Sequence, residues 1–121
     1  MIPRYKEKNL AIMLVVCLLA LAMMSPTVLA ESADAMFGRG IKLANKGHFE
    51  EAIQAMLDFQ EKYPGDNRAP RAQYLVGTYQ QKRNYLNNAR KEFGYVLKDY
   101  PNTIYAARAR HRIADIQIHM E

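Results

Sequence analysis

Cysteine, tryptophan and serine are nearly missing from this sequence. The 121 residues include one Cys and no Trp. Past residue 30 the only serine is Ser32. A lone cysteine cannot close an internal disulfide or build a Cys-rich zinc module. Five Pro and six Gly are too few for a collagen-like or low-complexity chain. No segment alternates with period two, so no sheet is expected. There is also no Gly-rich phosphate loop, and the carboxylates are scattered. A nucleophile, metal or paired acid and base is what catalysis needs. The inventory therefore points away from an enzyme and implies no cofactor. The length leaves room for one small domain.

What is present begins with an uneven front. Arg4, Lys6 and Lys8 face one acid, Glu7, and an apolar run follows from Leu10 to Met24. Ser25, Pro26 and Thr27 come next, then Val28-Leu29-Ala30, and the chain turns polar at Glu31. Charged, apolar and small-residue segments in that order are those of a secretory signal peptide. Val28 and Ala30 suit the −3 and −1 subsites of a signal peptidase, and Pro26 ends the apolar helix before them. The reading is residues 1–30 as signal peptide and 31–121 as the working domain. An uncleaved anchor is the competing reading, because Leu10 to Leu29 is long enough to cross a bilayer. Lipidation at Cys17 is disfavoured by the bulky Val16 before it. Either way, basic residues ahead of the run keep the N-terminus cytoplasmic and send the rest to the periplasm. Without residues 1–30, 14 basic residues stand against 11 acidic ones, a net of +3 with no Cys.

The rest of the chain repeats with a period of 37. Gly40 falls on Gly77 and then Ala114, and Ala52 on Ala89. Met56 falls on Phe93, Tyr63-Pro64 on Tyr100-Pro101, and Arg71-Ala72 on Arg108-Ala109. Within each repeat the apolar residues recur at three to four, which is helical spacing. Pro64 and Pro101 are stops, since proline cannot continue a helix and pushes its predecessor out of the helical region. Asp66 and Thr103 align as N-caps for the helices that follow. Lys46-Gly47-His48 and Arg83-Asn84 mark the turns inside each pair. Five helices are predicted, at about 33–46, 48–62, 68–82, 85–98 and 104–119. The fold class is all-α: two helical hairpins plus one capping helix.

Gly77, Ala89, Phe93 and Pro101, and equally Gly40, Ala52, Met56 and Pro64, keep one spacing. With it the array resembles the tetratricopeptide repeat family. Gly47-His48-Phe49-Glu50-Glu51-Ala52-Ile53 and Lys62-Tyr63-Pro64-Gly65-Asp66 are similar to repeats of exported envelope proteins. Those include Tol-Pal-associated cell-division coordinators and outer-membrane assembly lipoproteins. The resemblance implies a stack of helical hairpins, with these eight residues packing one helix on the next. Two departures stand: Met36 and Gln73 replace the usual Trp, and no lipidated Cys is apparent.

In stacked repeats the first helix of each pair lines an inner groove. Residues 37 apart then form columns: Phe37, Tyr74 and His111; Asp34, Arg71 and Arg108; Ile41, Thr78 and Asp115. Rings supply apolar contact at little entropy cost, and arginines grip carboxylates in two places. The set suits an extended peptide or an acidic protein segment. Packing offers a plainer explanation for the rings, and Asp34 and Asp115 offer partners for the arginines. His111, Asp115 and His119 share one face of the last helix and form a weak candidate for a metal site; a solvated face is the plainer reading. Nucleic acid is not an expected partner, because the chain is exported and its basic residues are interleaved with acids. A net of +3 allows peripheral contact with anionic lipid.

The expected role is an exported scaffold for protein–protein interaction in the cell envelope, binding a peptide or protein segment in its groove. The alternative is an assembly module. It would self-associate or dock through its last helix, where Ile104, Ala107 and Ile118 lie off the packing stripe.

Overall fold

The structure is a computed structural model that describes residues 4–23 and 31–121, with the side chains of 8–20 described in the first stretch. It is all-helical: α1 Arg4–Met23, α2 Ala33–Asn45, α3 Phe49–Lys62, α4 Ala69–Lys82, α5 Leu86–Asp99 and α6 Ile104–Met120. The chain divides into two units, Met1–Glu31 and Ser32–Glu121.

The first unit holds α1. Its apolar residues run all round the helix and leave no polar face. Leu10, Ile12–Val16, Leu18 and Leu19 are all exposed. Among the described residues no helix is long and apolar enough to cross a membrane. Pro26, Val28 and Ala30, on which the cleavage reading depends, lie outside the described residues, as does the end of the Leu10–Leu29 stretch.

The second unit is an array of antiparallel helices. Each helix from α2 to α5 packs on the next, and α4 also touches α6. Its boundaries follow from local chemistry, and its turns recur after 37 residues. The Ser32 hydroxyl caps α2 by accepting from Ala35 N at 3.1 Å, and Thr103 caps α6 through Ala106 N at 3.3 Å. After α2 the chain turns through Gly47 at φ +82°, and after α4 through Asn84 at φ +64°. This left-handed geometry favours Gly and tolerates Asn. The turns close with matching bonds: Gly47 N to Ala44 O and His48 N to Leu43 O at 2.9 Å, Asn84 N to Gln81 O at 2.9 Å and Tyr85 N to Gln80 O at 3.0 Å. These are the paired carbonyl contacts of a helix C-terminus that ends in a left-handed residue. The turns after α3 and α5 match as well. Tyr63 and Tyr100, each preceding a proline, leave the helical region at φ −127° and −133°.

Two apolar clusters hold the array. The first joins Met36 and Phe37 of α2 to Ala52, Ile53, Met56 and Phe59 of α3, and to Ala72, Val76 and Tyr79 of α4. The second joins Ala89, Phe93 and Val96 of α5 to Ala106, Ala109 and Ile116 of α6. Gly40 and Gly77 mark where paired helices approach most closely. A Cβ on Gly40 would stand 2.7 Å from Met56 Cε, and one on Gly77 would stand 2.7 Å from two ring carbons of Phe93. Ala52, Met56, Ala89 and Phe93 are fully buried. Pro64 and Pro101 are exposed and terminate helices without packing between them.

One local expectation changes. Asp66 does not cap α4, which begins only at Ala69. Its carboxylate instead accepts the Arg68 main-chain N–H at 2.9 Å and grips the Arg68 guanidinium from two oxygens, each at 2.9 Å. The extra turn between Pro64 and Pro70 moves the helix start two residues past the acid's reach. Arg68, through its side chain and then its main-chain N–H, holds the Asp66 carboxyl down at about 2. The Asp66 carboxylate, and after it that of Asp34, pushes the Arg68 guanidinium up.

Candidate functional site

The nine groove candidates divide into those that face solvent together and those that do not. Phe37 leaves the set. It is buried, with its ring edge-on to Phe59 at 5.3 Å, and the Arg68 and Arg71 guanidiniums each lie 5.3 Å from its centroid. Tyr74 is half-buried, its ring 5.4 Å from Phe93 and 5.7 Å from Tyr105. Its hydroxyl accepts from Arg112 Nε at 3.2 Å. His111 is exposed. The column of rings is therefore three different environments. Identical register does not give identical surroundings, because each ring answers to the helix it meets.

The charged column separates too. Asp34 pairs with Arg68 at 2.8 Å and not with Arg71. Arg68 thereby ties α2 to the turn before α4 and covers Phe37 and Phe59. Arg108 lies over the Tyr105 ring at 5.5 Å. The expected alternative pairing of Arg71 and Arg108 with Asp34 and Asp115 does not form. Among the described residues no set of three or more His, Cys, Asp or Glu is placed to hold a metal ion. His119 turns Nδ1 to the Asp115 carbonyl at 2.8 Å.

What does come together is a groove between α2 and α4. Ile41, Ala44 and Asn45 of α2 line it, with Arg71, Leu75, Thr78, Tyr79 and Lys82 of α4 and Phe49 of α3, around an opening of about 470 Å³. Phe49 and Tyr79 pack their rings 5.9 Å apart. Burial pushes the Tyr79 phenol up, against a smaller opposing effect of the Arg71 charge. Thr78 donates its hydroxyl to the Tyr74 carbonyl at 3.1 Å. A second opening of about 350 Å³ lies between α4 and α6, lined by Thr78, Gln81, Lys82 and Arg112. Among the described residues no carboxylate lines either opening. The α2–α4 groove, apolar at Ile41, Phe49, Leu75 and Tyr79 and carrying Arg71 and Lys82, favours a ligand that carries negative charge on an apolar body.

Ile41, Arg71 and Thr78 are thus brought to one groove, while Leu75, Lys82 and Arg112 were missed from sequence. The signal was available along α4 itself. Residues 71, 75, 78 and 82 are spaced by four, three and four, one face of a helix. Comparing positions across repeats hides most of that face, because α2 and α6 carry other residue types in the register of 75, 78 and 82. No protein-family model matches the chain, and no curated protein matches it either.

Proposed function

We propose that this chain is an exported tetratricopeptide-type scaffold of the bacterial periplasm that holds an acidic peptide or protein segment between α2 and α4. The observation that carries the reading is the groove: apolar lining from Ile41, Phe49, Leu75 and Tyr79, basic groups from Arg71 and Lys82, and no carboxylate lining it among the described residues. The order of charged, apolar and small segments in residues 1–30 supports export. The role is binding, with no catalytic step. The test is cross-linking from the envelope fraction, comparing wild type with an Arg71→Glu/Lys82→Glu variant. The expected outcome is loss of specific adducts in the variant. An unchanged set of adducts refutes the groove reading.

The exposed apolar residues of α6 favour a second reading, in which the protein is an assembly module that docks or self-associates through its last helix. Ile104 and Ile118 are 61% and 69% exposed. Light scattering and the experiment below separate the two.

A further inference from the structure

α6 repeats the register of α2 and α4, and on both of those helices one face is occupied by the next helix. On α2 the centre of that face is Gly40, against Met56. On α4 it is Gly77, against Phe93. One turn before Gly77, the buried Gln73 donates through Nε2 to both the main-chain oxygen and the carboxylate of Glu92, at 3.1 and 2.8 Å. Glu92 is the residue just before Phe93. The contact thus reads two neighbouring residues of α5, one apolar and seated on the glycine, one acidic and held by the amide.

Adding 37 places Ala114 and Arg110 in these positions, and both are exposed. Ile104, Ala107 and Ile118 lie on the same side at helical spacing, and all three are exposed. Arg110 makes no hydrogen bond or ion pair among the described residues. His111 lies on this face between Ile104 and Ile118, and the one carboxylate within α6, Asp115, borders it. The face is therefore largely apolar, with Arg110 along one edge, on the side where α4 carries a glutamate-binding amide.

We infer that this face seats an acidic amphipathic helix of a partner protein, which lies on α6 as α3 lies on α2 and α5 on α4. The inference deepens the second reading above and rests on it. Arg110 takes a carboxylate on the partner residue that precedes the seated apolar one. An arginine in place of Gln73 strengthens that contact by adding charge. The seated side chain is flexible and unbranched, methionine above all. At Gly77 an added Cβ would come within 2.7 Å of the Phe93 ring, and at position 114 that Cβ is present. A rigid ring seated as Phe93 is would collide with it. A thioether can bend away, since methionine has three rotatable bonds and fills irregular gaps.

The probe is a fluorescent helix with the sequence of residues 48–63 carrying Ala55→Glu, which puts a carboxylate directly before Met56. A lactam bridge on its outer side keeps it helical, so failure to fold cannot account for failure to bind. Binding is read by anisotropy with the full chain in mild detergent, which shields the exposed apolar residues of α1. Wild type is expected to bind the probe, and Arg110→Glu to weaken it about tenfold, since attraction between exposed charges becomes repulsion. A Met56→Phe probe is expected to bind about fivefold more weakly to wild type and to recover on Ala114→Gly. In the Arg71→Glu/Lys82→Glu background the groove no longer competes for the acidic probe, and the effects of Arg110→Glu and Ala114→Glu are expected to persist there. Position 114 is exposed, so Ala114→Glu tests the seat without disturbing the core. If Ala114→Glu abolishes binding but Arg110→Glu and the Phe probe change nothing, the docking face stands and the partner chemistry proposed here is wrong. If the probe does not bind wild type, or binds Ala114→Glu equally well, both fall.

Discussion

Gly40 and Gly77 occupy the same register, yet alanine should be tolerated at one and not at the other. A Cβ at Gly77 would lie 2.7 Å from Cδ1 and Cε1 of Phe93 and 3.0 Å from Cζ. Unstrained carbon contacts are about 3.5–4.0 Å, so the ring has to retreat by roughly 1 Å. Phe93 is fully buried and packed against Tyr74 at 5.4 Å, which leaves the ring no free direction. Overpacking of this kind costs about 1–3 kcal/mol. Replacing a helix-interior glycine by alanine returns about 1 kcal/mol of propensity. The net for Gly77→Ala is therefore a loss of about 1 kcal/mol. At Gly40 the clash is with the terminal methyl of Met56, also 2.7 Å away, while Met56 Sδ and Ala55 Cβ are at 3.4 and 3.5 Å. That methyl turns aside by one rotation, so propensity prevails and Gly40→Ala is neutral or stabilising by up to about 1 kcal/mol. Urea unfolding of the Ser32–Glu121 unit measures both. At about 4–8 °C per kcal/mol for a domain of this size, thermal melting resolves the difference as well. Phe93→Leu in the Gly77→Ala background should recover part of the loss, giving a coupling of about 1 kcal/mol in the double-mutant cycle. The reasoning is refuted if Gly77→Ala is as stable as Gly40→Ala, or if the cycle shows no coupling.

Two further outcomes follow from the turns. Gly47→Ala places a Cβ at φ +82° and should cost about 1–2 kcal/mol in urea midpoints, whereas Asn84→Gly, at φ +64°, should be close to neutral. Asp66 has its carboxyl lowered from 3.8 to about 2 in the folded chain. A depressed carboxyl contributes stability that is complete above its unfolded value and lost as pH falls through its folded value. The urea midpoint should therefore drop between about pH 4 and pH 2, and Asp66→Asn should flatten that limb while lowering the midpoint at neutral pH. An unchanged acid limb in the variant would mean that the Asp66–Arg68 grip contributes nothing.

Helix order and turn positions were legible in the sequence because the signals that set them act within a turn or two. Pro64 and Pro101 stop helices wherever they stand, and Gly47 and Asn84 accept a backbone geometry most residues resist. The candidate groove was only partly legible. Ile41, Arg71 and Thr78 were found through the repeat period, while Leu75 and Lys82 required reading along α4. Phe37 was placed in the groove because its position on the helix borders both the core and the inner face. A ring at such a border goes where the adjacent helix leaves room, and Phe59 leaves room inside. Arg68 gave no signal at all. Its role depends on Asp34, Asp66 and two rings drawn from α2, α3 and the turn before α4.

By itself the sequence determined the all-α class, the 37-residue period, the hairpin turns and the small residues at the helix crossings, since these follow from backbone preference and apolar spacing. Only the tertiary structure decided which arginines are tied down and which rim a groove, that Asp66 holds Arg68 instead of capping α4, and that Gln73 reads Glu92 across a helix pair. Those outcomes turn on distances between side chains from different helices. A linear pattern can give residues the same register, but it cannot say what each will meet.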